Sequence, residues 1–400
     1  MSSLLMLGAS VDQLPAYRAA RRRGYRLIAV DQRPDAPGVA LADRFLRIST
    51  RDTEAIAAAV AGEPLAGVVT SASDAGMASQ RELAIRFGLP APLSERAVRG
   101  SMDKTYFRQV VTDIGLPSYP CVADHDRELL IERAKELPLP VVVKPADASG
   151  GKGITLVTGY EQLSGAIEKA WALSAAGLVT VERYIEGQHF AVEVWMRDGA
   201  LHFVPLTEKR MTELPTMVTV AHVSPARLSP VEVDTLRRML ARICTALDIT
   251  DGPANYDLVR TATGEFYLIE LGARLGGNAY PTVIAETWGV DTAGATVARA
   301  VGERFDLTPT KSQACLLYLL SSPLTVPGVV RGVSGVDDLR AHPGVREVEV
   351  SVRPGDPVLP YTEAARKLGY VLLVADDHDG LDELYAWCTA TLRLDIEPAT

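Results

Sequence analysis

The stretch VVVKPADASGGKGITLV, residues 141–157, decides how the chain is interpreted. It begins with an apolar run that carries Lys144, continues into a turn rich in glycine, and ends in a second apolar run. On the P-loop pattern G-x-x-x-x-G-K-[ST], Ala146 would replace the first glycine and Gly153 the hydroxyl that binds magnesium, so the turn is not a Walker loop. The pattern predicts a glycine-rich loop between two strands, whose backbone N–H groups and Lys144 bind phosphate. An ordinary glycine-rich hairpin turn is the alternative interpretation.

The first hundred residues alternate short apolar runs with helical patterns, from SLLMLGAS to MASQRELAIRFG. Strands that alternate with helices predict βαβ units and a parallel, Rossmann-like sheet. The turn after the first strand, LGASVD, offers only Gly8, whereas a dinucleotide fingerprint needs three glycines at G-x-G-x-x-G. A nicotinamide-dependent dehydrogenase is therefore rejected. Asp31, at the end of the second strand, is either a ribose-binding acid or an ordinary acid at a strand end.

The composition limits the classes of function. A chain of 400 residues exceeds one ordinary core, so two to four packed units are expected. No window approaches the roughly 18 consecutive apolar residues of a spanning helix, and the N-terminus lacks the features of a signal peptide, which together predict a cytoplasmic protein without a membrane span. The net charge of −9 argues against a nucleic-acid partner and favours a small-molecule site. The four cysteines form no C-x-x-C pair and are predicted to be buried free thiols.

A second constellation lies in ANYDLVRTATGEFYLIELGAR, where two apolar runs flank a short turn. Asp257 and Glu270 are 13 residues apart, so antiparallel pairing about the TATGE turn would place them nearly opposite one another on one face. Two such carboxylates can clamp Mg²⁺, which prefers hard oxygen ligands and shares its shell with nucleotide phosphates. Surface acids on a hairpin are the alternative, although Glu270 lies within the apolar run FYLIEL. Arg274 follows at once, and a guanidinium there could hold a phosphoryl group or a carboxylate bidentately.

The motifs follow one another in a characteristic order: VTSASD, MDKTYFRQVVTDIGLPSYP, VVVKPADASGGKG, VERYIEG, and NYDLV before YLIELGARLGG. In this order the chain resembles the ATP-grasp carboxylate–amine ligases. Its C-terminal segments GVREVEVSVRPGD and KLGYVLLVADD resemble the closing domain of the bacterial L-amino-acid ligases within that superfamily.

The resemblance implies a multidomain fold of α/β and α+β units. The proline-bounded segment before Pro120 indicates a first boundary near residue 115. A homodimer is a further expectation at the level of the family. The implied division is a Rossmann-like N-terminal domain at 1–115, a small ATP-grasp lobe with a glycine-rich lid at 116–190, a large lobe with the metal and substrate site at 191–308, and a small C-terminal α+β domain at 309–400.

The resemblance also assigns roles to individual residues. Lys104 and Lys144 match the lysines that contact ATP phosphates, and the strand VERYI matches the hinge that holds adenine. Asp257 and Glu270 match the magnesium ligands, while Arg274, together with Lys144, matches the catalytic cations that stabilise the acyl phosphate. The residues assigned to ATP are Lys104, Lys144, Ser149, Gly150, Gly151, Lys152, Gly153, Glu182, Arg183, Tyr184, Ile185 and His189.

Two positions depart from the family's pattern. His189 stands where many members have the acid that binds the ribose hydroxyls. The usual E-x-N-x-R is here E-L-G-A-R, so Gly272 removes an asparagine that would complete the shell of the second magnesium. Water, a substrate oxygen, Asn255 or Asn278 could take its place.

The segment PLTEKRMTELPTMVTVAHVSP, residues 205–225, lies between the ATP motifs, as the substrate-facing segment does in related ligases. His222 could orient a carboxylate or take a proton from the amine, although a histidine in a strand can also be a satisfied structural residue. Lys209 and its two neighbours could be a solvated strand end. The other candidate substrate contacts are Arg274, Gly276, Gly277 and Asn278.

The predicted activity is that of an ATP-dependent ligase that forms an amide through an acyl phosphate and releases ADP and phosphate. An amino acid is expected as one substrate. ATP and Mg²⁺, or Mn²⁺ in its place, are the implied cofactors, and a small carboxylate and an amine are the partners. Two alternatives stay open: an enzyme that activates another small carboxylate such as formate or bicarbonate, and a nucleotide-binding module without turnover.

Overall fold

The N-terminal unit is a four-stranded parallel sheet with the strand order β3-β2-β1-β4. The structure is a computed structural model, and it describes residues 2–147 and 151–399. Apolar runs form the central strands, and Asp31 directly follows β2, where its carboxylate accepts a hydrogen bond of 2.9 Å from the Ala9 N–H. The elements of this unit are β1 (Ser3–Leu7), α1 (Leu14–Arg22), β2 (Arg26–Val30), β3 (Arg44–Leu46), α2 (Thr53–Ala59), β4 (Leu65–Thr70) and α3 (Met77–Arg86).

Two short helices lead from this sheet to a small antiparallel sheet with the order β5-β8-β6-β7. The second helix begins at Lys104 because the Asp103 side chain caps it by accepting a hydrogen bond from the Tyr106 N–H. The elements are α4 (Glu95–Met102), α5 (Lys104–Asp113), β5 (Cys121–Asp124), α6 (Arg127–Ala134), β6 (Val141–Pro145), β7 (Thr155–Val157), α7 (Leu163–Leu173) and β8 (Val179–Arg183).

The remaining strands build a nine-stranded sheet with the order β14-β13-β9-β11-β12-β15-β19-β17, in which β10 pairs with β9. A three-stranded sheet, β18-β16-β20, packs beyond it. The elements are β9 (Gln188–Arg197), β10 (Ala200–Phe203), β11 (Leu206–Met211), β12 (Thr219–Ser224), α8 (Pro230–Ala246), β13 (Gly252–Arg260), β14 (Phe266–Gly272), α9 (Tyr280–Trp288), α10 (Thr292–Ala300), β15 (Ala314–Leu320), β16 (Gly328–Ser334), α11 (Val336–Ala341), β17 (Val345–Val350), β18 (Pro357–Val358), β19 (Gly369–Ala375), α12 (His378–Thr391) and β20 (Arg393–Pro398).

The nine-stranded sheet crosses the predicted boundary at residue 308. Strand β15 pairs with β12 over four residues, so the C-terminal unit extends the same sheet that carries the large lobe. One hydrophobic core also joins Leu4 and Tyr17 of the N-terminal unit to Trp195 and Leu317. The division at 115, 190 and 308 therefore remains a prediction about units that share packing and hydrogen bonds.

Two findings bear on the expectations from composition. Across the described ranges all four cysteines are free thiols, three of them buried, whereas Cys121 is only partly buried. In residues 2–147 and 151–399 no helix is both long enough and apolar enough to cross a membrane.

Candidate active site

A cleft of about 730 Å³ lies where the N-terminal sheet, both lobes and the C-terminal unit meet. Gly153 lies outside the lining of the cleft, and Ser149 and Gly150 lie outside the described residues. The cleft brings together most of the residues predicted from the sequence: Lys104, Lys144, Gly151, Lys152, Glu182, Arg183, Tyr184, Ile185, His189, His222, Asp257, Glu270, Arg274, Gly276, Gly277 and Asn278.

The described part of the glycine-rich loop requires glycine at two positions. Gly151 and Gly153 have φ angles of +82° and +76°, which side chains rarely adopt. A Cβ atom at Gly153 would also lie 2.9 Å from the ring of Pro145. At Gly151 the nearest atom to such a Cβ would be the Val218 side chain, 4.0 Å away on the opposite wall of the cleft. The loop therefore borders the cleft, as a phosphate-binding loop must.

Lys144 is held in place by an acid of the neighbouring strand. Lys144 on β6 and Glu182 on β8 lie diagonally on the same face of the small sheet, and Lys144 Nζ is 2.6 Å from Glu182 Oε1. The two side chains are only 6% and 9% exposed. Lys104 enters the cleft from the first turn of α5, where its Nζ donates to the Ala146 carbonyl at 3.2 Å. Two ammonium groups thus converge beside the glycine-rich loop.

The hinge that follows β8 is fixed by backbone hydrogen bonds. The N–H groups of Arg183 and Tyr184 donate to the carbonyls of Pro120 and Pro140, both at 3.0 Å. The buried Ile185 side chain packs with Tyr119 and Val259 in a small apolar cluster. This apolar surface lines the cleft and suits the flat face of a nucleobase.

Asp257 and Glu270 face one another directly across the β13–β14 pair. The short turn, with Gly264 at a φ of +84°, sets the pairing of Leu258 with Leu268, and a register shift between Asp257 and Leu258 then brings Asp257 opposite Glu270. Two opposed carboxylates fit a hard divalent cation such as Mg²⁺. Within the part of the chain that the structure describes, no group of three or more histidine, cysteine, aspartate or glutamate residues could hold a metal. A cation held by this pair would therefore complete its shell with ligand oxygens or water.

Lys209, for which a solvated strand end was one interpretation of the sequence, points into this site. Its side chain is 12% exposed, and Nζ lies 2.8 Å from Asp257 Oδ2. Burial of the Asp257 carboxyl opposes ionisation, but the Lys209 ammonium outweighs burial and holds the pKa of Asp257 below its usual value. The solvated interpretation was wrong because the partner acid lies 48 residues further along the chain.

Two neutral histidines flank Lys209. His189 on β9 and His222 on β12 both pair with Lys209 in the sheet. Burial, and next the Lys209 charge, lower the pKa of His189 to about 4 and that of His222 to about 3. His222 is 4% exposed, and among the described residues neither of its ring nitrogens has a hydrogen-bond partner. It is therefore not a satisfied structural histidine, because buried polar atoms normally find partners.

The glycine that replaces the expected asparagine makes room for Arg274. A Cβ atom at Gly272 would lie 2.7 Å from the guanidinium carbon of Arg274. That guanidinium turns back over β14 and pairs with Asp74 of the N-terminal unit at 2.8 Å. Asn255 stands directly opposite Gly272 on β13 and lines the cleft. Gly272 thus leaves room for the Arg274 side chain. Of the two asparagines that could replace the missing ligand, Asn255 is the one that pairs with Gly272 in the sheet.

Comparison with known families identifies this arrangement. The family model for the ATP-binding domain of the carbamoyl-phosphate synthase L chain matches residues 103–308, more than half of the chain. The chain belongs to the ATP-grasp carboxylate–amine ligase family. A second model, for L-amino acid ligase C-terminal domain 2, matches residues 323–397 of this ATP-grasp ligase.

Individual relatives of this ATP-grasp ligase agree with the two models. It is 28% identical over 338 residues to the uncharacterized protein y4rH of Sinorhizobium fredii, covering 82% of the chain and 68% of the relative. It is 21% identical over 315 residues to the L-arginine-specific L-amino acid ligase of Bacillus subtilis, covering 78% of the chain and 75% of the relative. The crystal structure of an L-amino acid ligase from Bacillus licheniformis shares its fold with a TM-score of 0.84 at 20% identity, over 100% of this chain and 99% of that one.

One buried acid of this ATP-grasp ligase was missed from the sequence. Glu193 lies on β9 within the apolar stretch AVEVWM, and a charge inside such a run is the signal that could have identified it. Its carboxylate accepts hydrogen bonds from the Gly276 N–H at 3.1 Å and from Trp195 Nε1 at 2.9 Å. Complete burial raises the pKa of Glu193 to about 7. The hydrogen bond from the Gly276 N–H to Glu193 holds in place the glycine pair Gly276–Gly277, which follows Arg274.

Contacts between both ends of the chain join residues at the mouth of the cleft. Lys367 of the C-terminal unit donates to Asp12 of the N-terminal unit at 3.2 Å and to the Asn278 side chain at 3.0 Å. Asn278 has a φ of +52°, a left-handed conformation that asparagine tolerates better than most residues. Asp12, Asp74 and Lys367 lie in the quoted stretches LGASVD, VTSASD and KLGYVLLVADD, but no role was assigned to them from the sequence, because the partner of each lies in a distant segment.

Proposed function

We propose that this ATP-grasp ligase joins a small carboxylate to an amine through an acyl phosphate, with an amino acid as one substrate. The observation that carries the proposal is the convergence of Lys144, the opposed pair Asp257 and Glu270, and Arg274 in one cleft. The match of residues 323–397 to the C-terminal domain of L-amino acid ligases supports the amino acid as a substrate.

Each group in the cleft has a role in phosphoryl transfer. Lys104 and Lys144 would hold the nucleotide phosphates beside the glycine-rich loop, and the apolar surface around Ile185 would receive adenine. Asp257 and Glu270 would hold Mg²⁺, or Mn²⁺ in its place, which when bound offsets the negative charge of the phosphates. A carboxylate oxygen of the substrate attacks the γ-phosphorus, the bond to the ADP oxygen breaks, and Arg274 offsets the charge on the transferred group.

The second half of the reaction consumes the acyl phosphate. The amine nitrogen attacks the acyl carbon, inorganic phosphate leaves with the electron pair of the broken C–O bond, and the amine loses a proton to give the amide. Enclosure by the loop over residues 149–153 would keep water from the acyl phosphate. An imidazole with a pKa of about 3 is a weak base, so His222 is better suited to orient the substrate than to remove the proton.

Phosphate release tests this function. The purified protein receives ATP and Mg²⁺ with pools of amino acids and small carboxylates, each with and without added amines, and Glu270→Gln serves as the blank. Release that needs both an acid and an amine supports the ligase and begins to name its substrates. Release with formate or bicarbonate alone would favour that alternative, and ADP binding without any release would favour the binding module.

A further inference from the structure

The ammonium of Lys209 is paired with Asp257, one of the two carboxylates that would hold the proposed metal. Lys209 on β11 and Asp257 on β13 are separated by the whole of β9, a span of roughly 10 Å. The residue of β9 that pairs with Asp257 is Ala191, whose side chain is a single methyl group. With Nζ at 2.8 Å from Asp257 Oδ2, a cation bound to that oxygen would be repelled by the ammonium while the lysine remains.

The surroundings of Lys209 offer it no second acid. Among residues 2–147 and 151–399, the one carboxylate within ion-pair distance of Lys209 is that of Asp257. Its neighbours in the sheet are His189 and His222, which carry no charge at neutral pH. An ammonium with 12% exposure that lost Asp257 would therefore be a largely buried, uncompensated charge, which is costly.

We propose that Lys209 is an exchangeable counter-ion of the metal site, which pairs with Asp257 in the free protein and binds the substrate carboxylate once the metal–nucleotide complex has displaced it. The idea rests on the proposed function of the same cleft. It gives an order of binding, because the carboxylate gains its cation only after the nucleotide and metal have arrived. It also places the substrate carboxylate between Lys209 and the unpartnered ring of His222.

The first consequence concerns the metal without nucleotide. Lys209→Met removes the competing ammonium and leaves Asp257 to the metal, so the variant should bind Mn²⁺ at least about tenfold more tightly than the unaltered protein. The measurement is a titration with Mn²⁺ alone, followed by electron paramagnetic resonance of the free ion. Lys209→Gln repeats the test, in case the methionine variant is unstable by circular dichroism.

Two controls make the result specific. Lys367→Met removes an ammonium from the mouth of the same cleft without touching Asp257, and its Mn²⁺ affinity should stay within about twofold of the original. The double variant Lys209→Met/Asp257→Asn should lose the gain. Equal or weaker Mn²⁺ binding by both Lys209 variants would overturn the proposal.

The second consequence concerns the carboxylate. In the phosphate-release assay, Lys209→Met should raise the KM for the acid at least about tenfold while the KM for ATP does not rise, because the metal–nucleotide complex no longer has to displace the ammonium. An unchanged KM for the acid would refute the role in recognition. The Mn²⁺ titration needs no turnover, so it decides the counter-ion role even if every acid and amine pool fails and the proposed function falls.

Discussion

Lys144 Nζ and Glu182 Oε1 lie 2.6 Å apart on adjacent strands of the small sheet, and both side chains are more than nine-tenths buried. The same arrangement recurs around the cleft, where further cations are already paired with acids in the free protein. On the proposed function, we expect nucleotide and substrates to exchange partners with these pairs on binding. The pairs are Lys144–Glu182, Lys209–Asp257, Arg274–Asp74 and Lys367–Asp12.

Replacing Lys144 by Met should separate its two roles. ADP affinity, measured by isothermal titration, should fall at least about tenfold because a phosphate partner is lost. The free energy of unfolding in urea should fall by about 3 kcal/mol because Glu182 is left as an unpaired buried charge. The double variant Lys144→Met/Glu182→Gln should recover most of the stability and none of the ADP affinity. Normal ADP affinity in either variant would refute the phosphate assignment.

Replacing Glu270 by Gln should abolish ATP turnover while the fold is retained. The change removes one of the two opposed carboxylates, and we expect phosphate release to fall at least about 100-fold. Glu265→Gln is the matched control, since Glu265 is an exposed acid at the turn of the same hairpin, where it bonds to Tyr267. Equal release by the two variants would remove the metal assignment.

Gly272→Asn, which restores the residue usual in the family, should lower activity. The new Cβ would lie 2.7 Å from the Arg274 guanidinium, which must then leave its contact with Asp74. We expect turnover to fall about tenfold, and Gly272→Ala to do the same because it adds the same Cβ. An increase in phosphate release with asparagine would instead show that the glycine weakens the site.

His222→Leu should affect activity and stability in opposite directions. Because neither ring nitrogen has a partner among the described residues, leucine removes two unsatisfied polar atoms, and stability in urea should be unchanged or higher. The KM for the carboxylate should rise about tenfold, with ADP affinity unaltered. If the KM for the carboxylate does not change, the segment 205–225 does not face the substrate.

Glu193 should make the protein less stable as the pH rises. Its pKa is about 7 in the folded protein and 4.5 in the reference state, so the stabilisation is fully present below pH 4.5 and is lost as the pH rises through 7. The loss is on the order of 3 kcal/mol. Urea unfolding from pH 5 to pH 8 should show a decline in the original protein relative to Glu193→Gln. A constant difference between the two would contradict the pKa shift.

The parts of the site that the sequence predicted are those set by local geometry. The short turn and the two-residue period of a strand predicted that Asp257 and Glu270 lie close together, whereas their direct pairing in the structure also requires the register shift between Asp257 and Leu258. The ion pairs Lys209–Asp257 and Arg274–Asp74 join segments that are distant in the chain, so no local pattern indicates them. The environment of Glu193 likewise depends on a distant segment, because its carboxylate accepts from the Gly276 N–H, 83 residues further along the chain.

The fold shows the same limit. Alternating strands and helices predicted the parallel N-terminal sheet, because each βαβ unit is local. The pairing of β12 with β15 joins Ser224 to Cys315 across the whole of the intervening helices and the β13–β14 hairpin. Such long-range pairing depends on packing rather than on motifs, and the sequence accordingly predicted a separate C-terminal unit where the structure has one continuous sheet.

That pairing places Leu317 of β15 beside His222 on β12. Strand β12, which belongs to the proposed substrate-facing segment 205–225, thus pairs on one side with the ATP-binding half and on the other with the last hundred residues. Substrate preference should then depend in part on the C-terminal unit. A chimera that receives this unit from a relative would also receive a new neighbour for His222.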